Sequence, residues 1–273
     1  MSQTIYTELN NGVAIPRLGL GVYQTEPGPT TEAAVLWAFD AGYRHIDTAS
    51  VYGNEADGGR AFRQSGLARD EVFITTKLWN SDQGFRPARA ALQKSLEELE
   101  LDYVDLYLIH WPVRESYIDS WRALESLCQE GLARAIGVSN FLIPHLEELL
   151  ARAEIVPAVN QVEIHPFGYD PDLRDFCRLQ GIALQAYAPL VRTERFDDPT
   201  LQAIAAEHGR TPAQVLLRWS LQHNQIVLPK SIRQERIAEN AQIFDFELSP
   251  ADMQRLDSLN EDLHTCWDPR NTL

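Results

Sequence analysis

Lysine is scarce in this 273-residue chain: Lys77, Lys94 and Lys230 are the only three among 24 basic residues, and arginine supplies the rest. A lysine inside an apolar run therefore stands out. Positive charge is short overall, because 39 acidic residues leave a net charge of −15. Such an excess repels nucleic acid and anionic membrane surfaces, so neither is expected as a partner. Cysteine is sparse and odd in number, with Cys128, Cys177 and Cys266 far apart. That argues against a disulfide framework or a cysteine zinc site and suits reduced thiols in a cytoplasmic protein. No stretch approaches the roughly 18 apolar residues of a membrane span. The start, MSQTIYTELNNG, lacks the charged lead and apolar run of a signal peptide. The expectation is a cytoplasmic globular protein that acts on small molecules, monomeric by default.

What is present is a regular alternation. Tyr6 to Ile15 reads as a hairpin through Asn11-Gly12, a dipeptide suited to the positive φ angles of a tight turn. Apolar strand candidates follow at 17–21, 43–47, 72–78, 103–109, 132–138, 157–162, 182–187 and 225–228. Amphipathic segments such as 31–41, 87–99, 117–130 and 142–152 lie between them, with leucine and alanine at helical spacing. Thr211-Pro212 and Ser249-Pro250 each put an N-cap before a proline at the first helical position, and Gly131 follows a helix end. Eight such units predict an α/β fold, a single (β/α)8 TIM barrel over residues 1–273 with the hairpin capping its bottom. An open dinucleotide-binding sheet is disfavoured: Gly19-Leu20-Gly21 is followed by Val22, Tyr23 and Gln24, so the third glycine of its fingerprint is missing.

In a barrel the chemistry belongs at the C-terminal ends of the strands. Four residues qualify: Asp47, Tyr52, Lys77 and His110. An acid, a phenol, an ammonium and an imidazole at one mouth suit the addition of hydride to a carbonyl, where charge develops on oxygen and a proton must arrive. Lys77 is expected to lower the Tyr52 phenol from its ordinary pKa of about 10. Asp47 would hold Lys77 charged, and His110 would donate to the carbonyl oxygen. Lys230-Ser231 is expected to open a helix with Arg236 about one turn later, which makes an anion site. Tyr23, Trp79 and Trp111 are candidate walls for a substrate. The short tail after Asn260, with Trp267 and Arg270, offers little material for a lid, which predicts a broad range of carbonyl substrates.

Other classes stay open on these residues. His45, Asp47, His110 and His165 could ligate zinc in a metal-dependent hydrolase. Lys77 could form a Schiff base. A sensor or accessory subunit could bind a cofactor without turnover.

The segments GYRHIDTASVYGNE (42–55), ITTKLW (74–79), DLYLIHWP (105–112), GVSNF (137–141), NQVEIHP (160–166) and LPKSIRQERIAEN (228–240) resemble the aldo-keto reductase family. The likeness is greatest to the branch that includes bacterial 2,5-diketo-D-gluconate reductases. The resemblance implies a catalytic tetrad of Asp47, Tyr52, Lys77 and His110, with Tyr52 as proton donor, and no metal. It implies that Ser139, Asn140 and Gln161 meet a nicotinamide carboxamide, that Tyr187 stacks on the ring, and that Gly21, Val22 and Leu190 also touch the cofactor. Lys230, Ser231 and Arg236 would hold the 2′-phosphate, with Glu239 and Asn240 near adenine, so the implied cofactor is NADPH/NADP+. Tyr187-Ala188-Pro189-Leu190-Val191-Arg192 departs from the Ser-Pro-Leu-Gly of many relatives.

Overall fold

The structure is a computed structural model that describes residues 5–272. Two short strands, β1 (Tyr6–Glu8) and β2 (Ala14–Pro16), form an antiparallel hairpin. The barrel follows in strict alternation at first: β3 (Leu20–Gly21), α1 (Pro29–Asp40), β4 (His45–Asp47), α2 (Glu55–Ser65), β5 (Phe73–Leu78), α3 (Phe85–Leu99), β6 (Val104–Ile109) and α4 (Tyr117–Gln129). It continues through β7 (Ala133–Ser139), α5 (Ile143–Leu150), β8 (Val159–Glu163), α6 (Pro171–Leu179) and β9 (Ala183–Tyr187). Two helices, α7 (Pro199–His208) and α8 (Pro212–Gln222), precede β10 (Ile226–Leu228), and α9 (Gln234–Asn240) and α10 (Pro250–Asp257) end the regular structure. No helix among the described residues is long and apolar enough to cross a membrane.

Strands β3 to β10 pair in parallel in chain order. The ring is closed by a bridge between Leu18 and Val227, where Gly19 N–H donates to Val227 O and Val227 N–H to Arg17 O, each at 2.9 Å. The eight expected strands are therefore the eight observed. β5 and β6 are buried at every residue, as strands covered on both faces must be. The inner face is crowded enough to demand glycine: a Cβ on Gly19 would lie 2.7 Å from His45 Nδ1.

The hairpin plugs the N-terminal end of the barrel. Leu9 and Ile15 pack with Phe73, Leu106, Ala135 and Ile226, and Asn10 and Asn11 donate to the carbonyls of Pro157 and Arg134. Its turn is looser than Asn11-Gly12 predicts. Leu9 N–H bonds Val13 O at 2.9 Å, which leaves a three-residue connection, and only Gly12 takes a positive φ, 82°. The expected caps are present, with Thr211 accepting from Gln214 N–H and Ser249 from Asp252 N–H.

Candidate active site

Register decides which side chains meet. Cross-strand partners share a face, and the pairs Asp47↔Thr75, Ser139↔Gln161 and Gln161↔Gln185 run around the upper barrel. Lys77 reaches from β5 into this layer. Its Nζ donates to Asp47 Oδ1 at 2.5 Å, to Thr48 O at 2.8 Å and to Tyr52 Oη at 3.4 Å. An ammonium has three donors, and all three are engaged. Tyr52 arrives on a short turn, Ser50–Tyr52, that Ser50 ties to Lys77 O. Asn54 pins the same loop, accepting from Thr48 Oγ1 at 2.9 Å and donating to Val22 O at 3.0 Å. The Tyr52 and His110 rings stand edge to face, centroids 5.7 Å apart.

Burial sets the charges here. It pushes the Asp47 carboxyl up and the Lys77 ammonium down, and each partner opposes the other's shift. His110 is held well below 6.5 by burial and then by Lys77, so its ring is neutral. Its Nδ1 is enclosed without a partner among the described residues, which leaves Nε2 as the ring nitrogen a ligand can reach. Tyr52 departs from expectation. Burial, and next the Asp47 charge, raises its phenol well above 10.0. Asp47 Oδ1, at 2.5 Å from Lys77 Nζ against 3.4 Å for Tyr52 Oη, takes up the larger share of the ammonium's field, so desolvation outweighs what Lys77 contributes at the phenol. Without cofactor the phenol is a firmly protonated acid.

The residues expected at the nicotinamide form one network. Ser139 Oγ donates to Gln161 O at 2.7 Å, Asn140 Nδ2 to His110 O at 3.0 Å, and Tyr187 Oη to Asn140 Oδ1 at 2.8 Å. Asn140 takes a left-handed φ of 63° to do this, which asparagine tolerates better than most residues. Gln161 Nε2 donates to Asp47 Oδ2 and to Gln185 Oε1, both at 2.7 Å. Gly21 ends β3 beside this layer. The Val22 side chain is packed in the core, so only its backbone is available to a ligand. Leu190 is half-buried against the core.

The cationic end is built differently from expectation. Lys230 and Ser231 lie in a loop, and α9 opens only at Gln234. Ser231 Oγ accepts from Arg233 N–H at 3.1 Å, and Arg233 is extended, so this local turn delays the helix. Lys230, Arg233 and Arg236 are exposed and have no acidic partner among the described residues. Partial desolvation and then Arg192 lower the Lys230 ammonium. Glu239 accepts from Thr211 Oγ1 at 2.7 Å, and Asn240 is buried.

Tyr23 packs on Tyr52 at 5.0 Å and Trp79 on His110 at 5.1 Å, so two of the three expected wall residues lie against members of the expected tetrad. Trp111 lies 6.1 Å from Trp267 of the tail. The short tail, expected to offer little material for a lid, is tied down. Glu163 at the end of β8 accepts from Thr265 N–H at 2.8 Å, Thr265 Oγ1 at 2.5 Å and Cys266 N–H at 3.2 Å. Arg192 donates to Thr265 O at 3.4 Å and to Gln24 Oε1 at 2.8 Å, bridging three loops. Glu163 and Arg192 were not legible as tail anchors, since nothing local links them to residues 24 or 265. Ala188, Val191, Arg192 and Thr193 all have positive φ, a concentration of strain typical of ligand-binding loops.

The zinc reading is not supported, because its ligands do not converge. His45 Nε2 pairs with Thr75 Oγ1 at 3.0 Å, with burial lowering that ring to about 3, and His165 pairs with Glu163. No group of three metal-binding side chains gathers among the described residues.

A barrel with this mouth is the scaffold of an oxidoreductase, and residues 17–261 match the model of the Aldo/keto reductase family. The chain belongs to that family and is an oxidoreductase of the carbonyl-reducing kind. Glyoxal reductase of Bacillus subtilis (strain 168) is 54% identical over 255 residues, covering 93% of this chain and 92% of that protein. An aldo/keto reductase crystal structure from Brucella melitensis superposes with a TM-score of 0.92 at 45% identity, covering 94% of this chain and 100% of the other. A Bombyx mori aldo-keto reductase, solved in complex with NADP, gives 0.91 at 37% identity, covering 96% and 94%.

Proposed function

We propose that this protein reduces small aldehydes and ketones with NADPH and that Tyr52 delivers the proton. The observation that carries the proposal is the Asp47–Lys77–Tyr52 chain of contacts, with Nζ 2.5 Å from Asp47 Oδ1 and 3.4 Å from Tyr52 Oη, beside a reachable, neutral His110. The cofactor fits the residues present. Among the described residues Gln161 Oε1 accepts no hydrogen bond while its Nε2 donates two, so the residue still offers an acceptor to a carboxamide. Lys230, Arg233 and Arg236 form an unbalanced cationic patch on a protein of net charge −15, as a 2′-phosphate needs. The NADP complex of the Bombyx mori relative supports the same cofactor.

NADPH supplies the hydride when bound. Tyr52 gives its proton to the carbonyl oxygen as negative charge gathers there. Lys77 stabilises the phenolate left behind, and Asp47 keeps Lys77 charged against its burial. His110 holds the carbonyl oxygen through Nε2–H. Tyr23, Trp79 and Trp111 form apolar walls that exclude water and strengthen these contacts. Ser139, Asn140, Gln161 and Tyr187 orient the nicotinamide, with Gly21, Val22 and Leu190 lining its approach. Lys230, Ser231 and Arg236 bind the phosphate, with Glu239 and Asn240 toward adenine.

The test is NADPH consumption by the native chain and by Tyr52→Phe, with glyoxal and methylglyoxal heading a panel of carbonyls because of the Bacillus subtilis relative. Loss of a general acid costs about 10²–10⁴-fold in turnover, while NADPH affinity is expected to survive. Full activity in Tyr52→Phe removes that residue from the mechanism. A native chain that binds NADPH but reduces no carbonyl favours the sensor reading, and a chain that binds no NADPH defeats the proposal.

A further inference from the structure

Gln185 lies in the middle of β9, fully buried, with its side chain against Gln161 on the barrel axis. It belongs neither to the tetrad nor to the residues assigned to the cofactor. We propose that Gln185 is a positioning residue that fixes the orientation of the Gln161 amide, so that Gln161 Oε1 is the acceptor presented to the nicotinamide carboxamide. This inference rests on the reading that Gln161 meets that carboxamide.

A glutamine amide can turn end for end with little change in shape, so only its hydrogen-bond partners decide which atom faces a ligand. Asp47 Oδ2 claims one N–H of Gln161 at 2.7 Å, and Gln185 Oε1 claims the other at 2.7 Å. With both taken, Nε2 has nothing left to donate and Oε1 is left free. Turning Gln161 over would set its oxygen against both acceptors at once. Gln185 itself is held the costly way round, for its own Nε2 is buried without a partner among the described residues. Its oxygen is aimed at Gln161 at the expense of its own donor. The arrangement selects a ligand that brings an N–H to this point, as a carboxamide does and a methyl ketone does not.

The experiment compares NADPH with its reduced 3-acetylpyridine analogue, in which a methyl replaces the carboxamide NH2, by dissociation constant and turnover. The native chain is expected to prefer NADPH by about tenfold, the worth of roughly one hydrogen bond. Gln185→Met removes the acceptor at similar volume, and the preference should fall to about twofold or less. Gln185→Glu retains a carbonyl oxygen at the same reach and should restore it. Affinity for adenosine 2′,5′-bisphosphate, which lacks the nicotinamide, should be the same in all of them, whereas general loosening of the barrel would change it. Gln185→Asn is too short to reach Gln161 and stands in should the methionine variant not fold. Undiminished preference in Gln185→Met or Gln185→Asn overturns the proposal. Undiminished preference in Gln161→Met shows instead that the carboxamide is not read by Gln161 at all.

Discussion

Lys77 and Lys230 are the same residue type at one barrel mouth, and their surroundings are opposite. Lys77 is completely buried, and all three of its donors are spent on Asp47, Thr48 O and Tyr52. Lys230 is exposed, beside Arg233 and Arg236, with no acid to balance it among the described residues. One charge is consumed inside the protein, held between Asp47 and the Tyr52 hydroxyl, and its partners are in place before any ligand arrives. The other is left over, and its balance comes from whatever anion binds. Chemical machinery can be complete in the free protein; a recognition site for a charged ligand is by nature incomplete.

The largest way to break this contrast is Lys77→Met. A buried Asp47 stripped of its cation should cost about 3–5 kcal/mol of stability, read as a lower urea midpoint, together with loss of turnover. A variant as stable as the native chain would mean that the pair is not held as an internal balance. Lys230→Ala combined with Arg236→Ala should leave the urea midpoint alone and weaken NADPH by about 10–100-fold, since hydrogen bonds to charged groups contribute about 1.5–3 kcal/mol. Affinity for NADH should not move, and the native preference for NADPH should shrink with salt. Equal weakening of both cofactors would place the phosphate elsewhere.

A smaller effect is expected at Glu163, the carboxylate at the end of β8. Burial raises Glu163, but His165 and Thr265 donate to it and the net shift is downward from 4.5. A carboxyl lowered in the folded state adds stability that is complete above its unfolded value and is lost as pH falls through its folded value. The tail should therefore loosen only in acid, below 4.5, and Trp267 fluorescence should report it. Glu163→Gln should loosen the tail already at neutral pH and change KM for bulky carbonyls more than for glyoxal. An acid transition identical in the native chain and Glu163→Gln would detach Glu163 from the tail.

The sequence was most legible where one segment carries its own signal. Eight apolar runs separated by amphipathic ones suffice for the barrel, and His110 before Trp111-Pro112 marks a strand end without help from elsewhere. Local chemistry misled where a neighbour intervened, as with Ser231, whose turn pushes the start of α9 to Gln234. The acidity of Tyr52 was misjudged because proximity of Lys77 can be inferred from strand ends, whereas the depth of burial and the closer Asp47 cannot. The tail lay furthest from view. Its fastening joins Gln24, Glu163, Arg192 and Thr265, four positions that only the finished fold makes neighbours.

The hairpin at the opposite end has a consequence for how such a protein can diversify. Leu9 and Ile15 seal the barrel floor against Phe73, Leu106 and Ile226, at the other end of the strands from Tyr52 and Lys77. Heat tolerance can be raised or lowered by repacking that floor while the reaction above is left alone. The rim can likewise accumulate changes in substrate choice without unsealing the floor. The molecule thus has separate places on which selection for durability and selection for appetite can act.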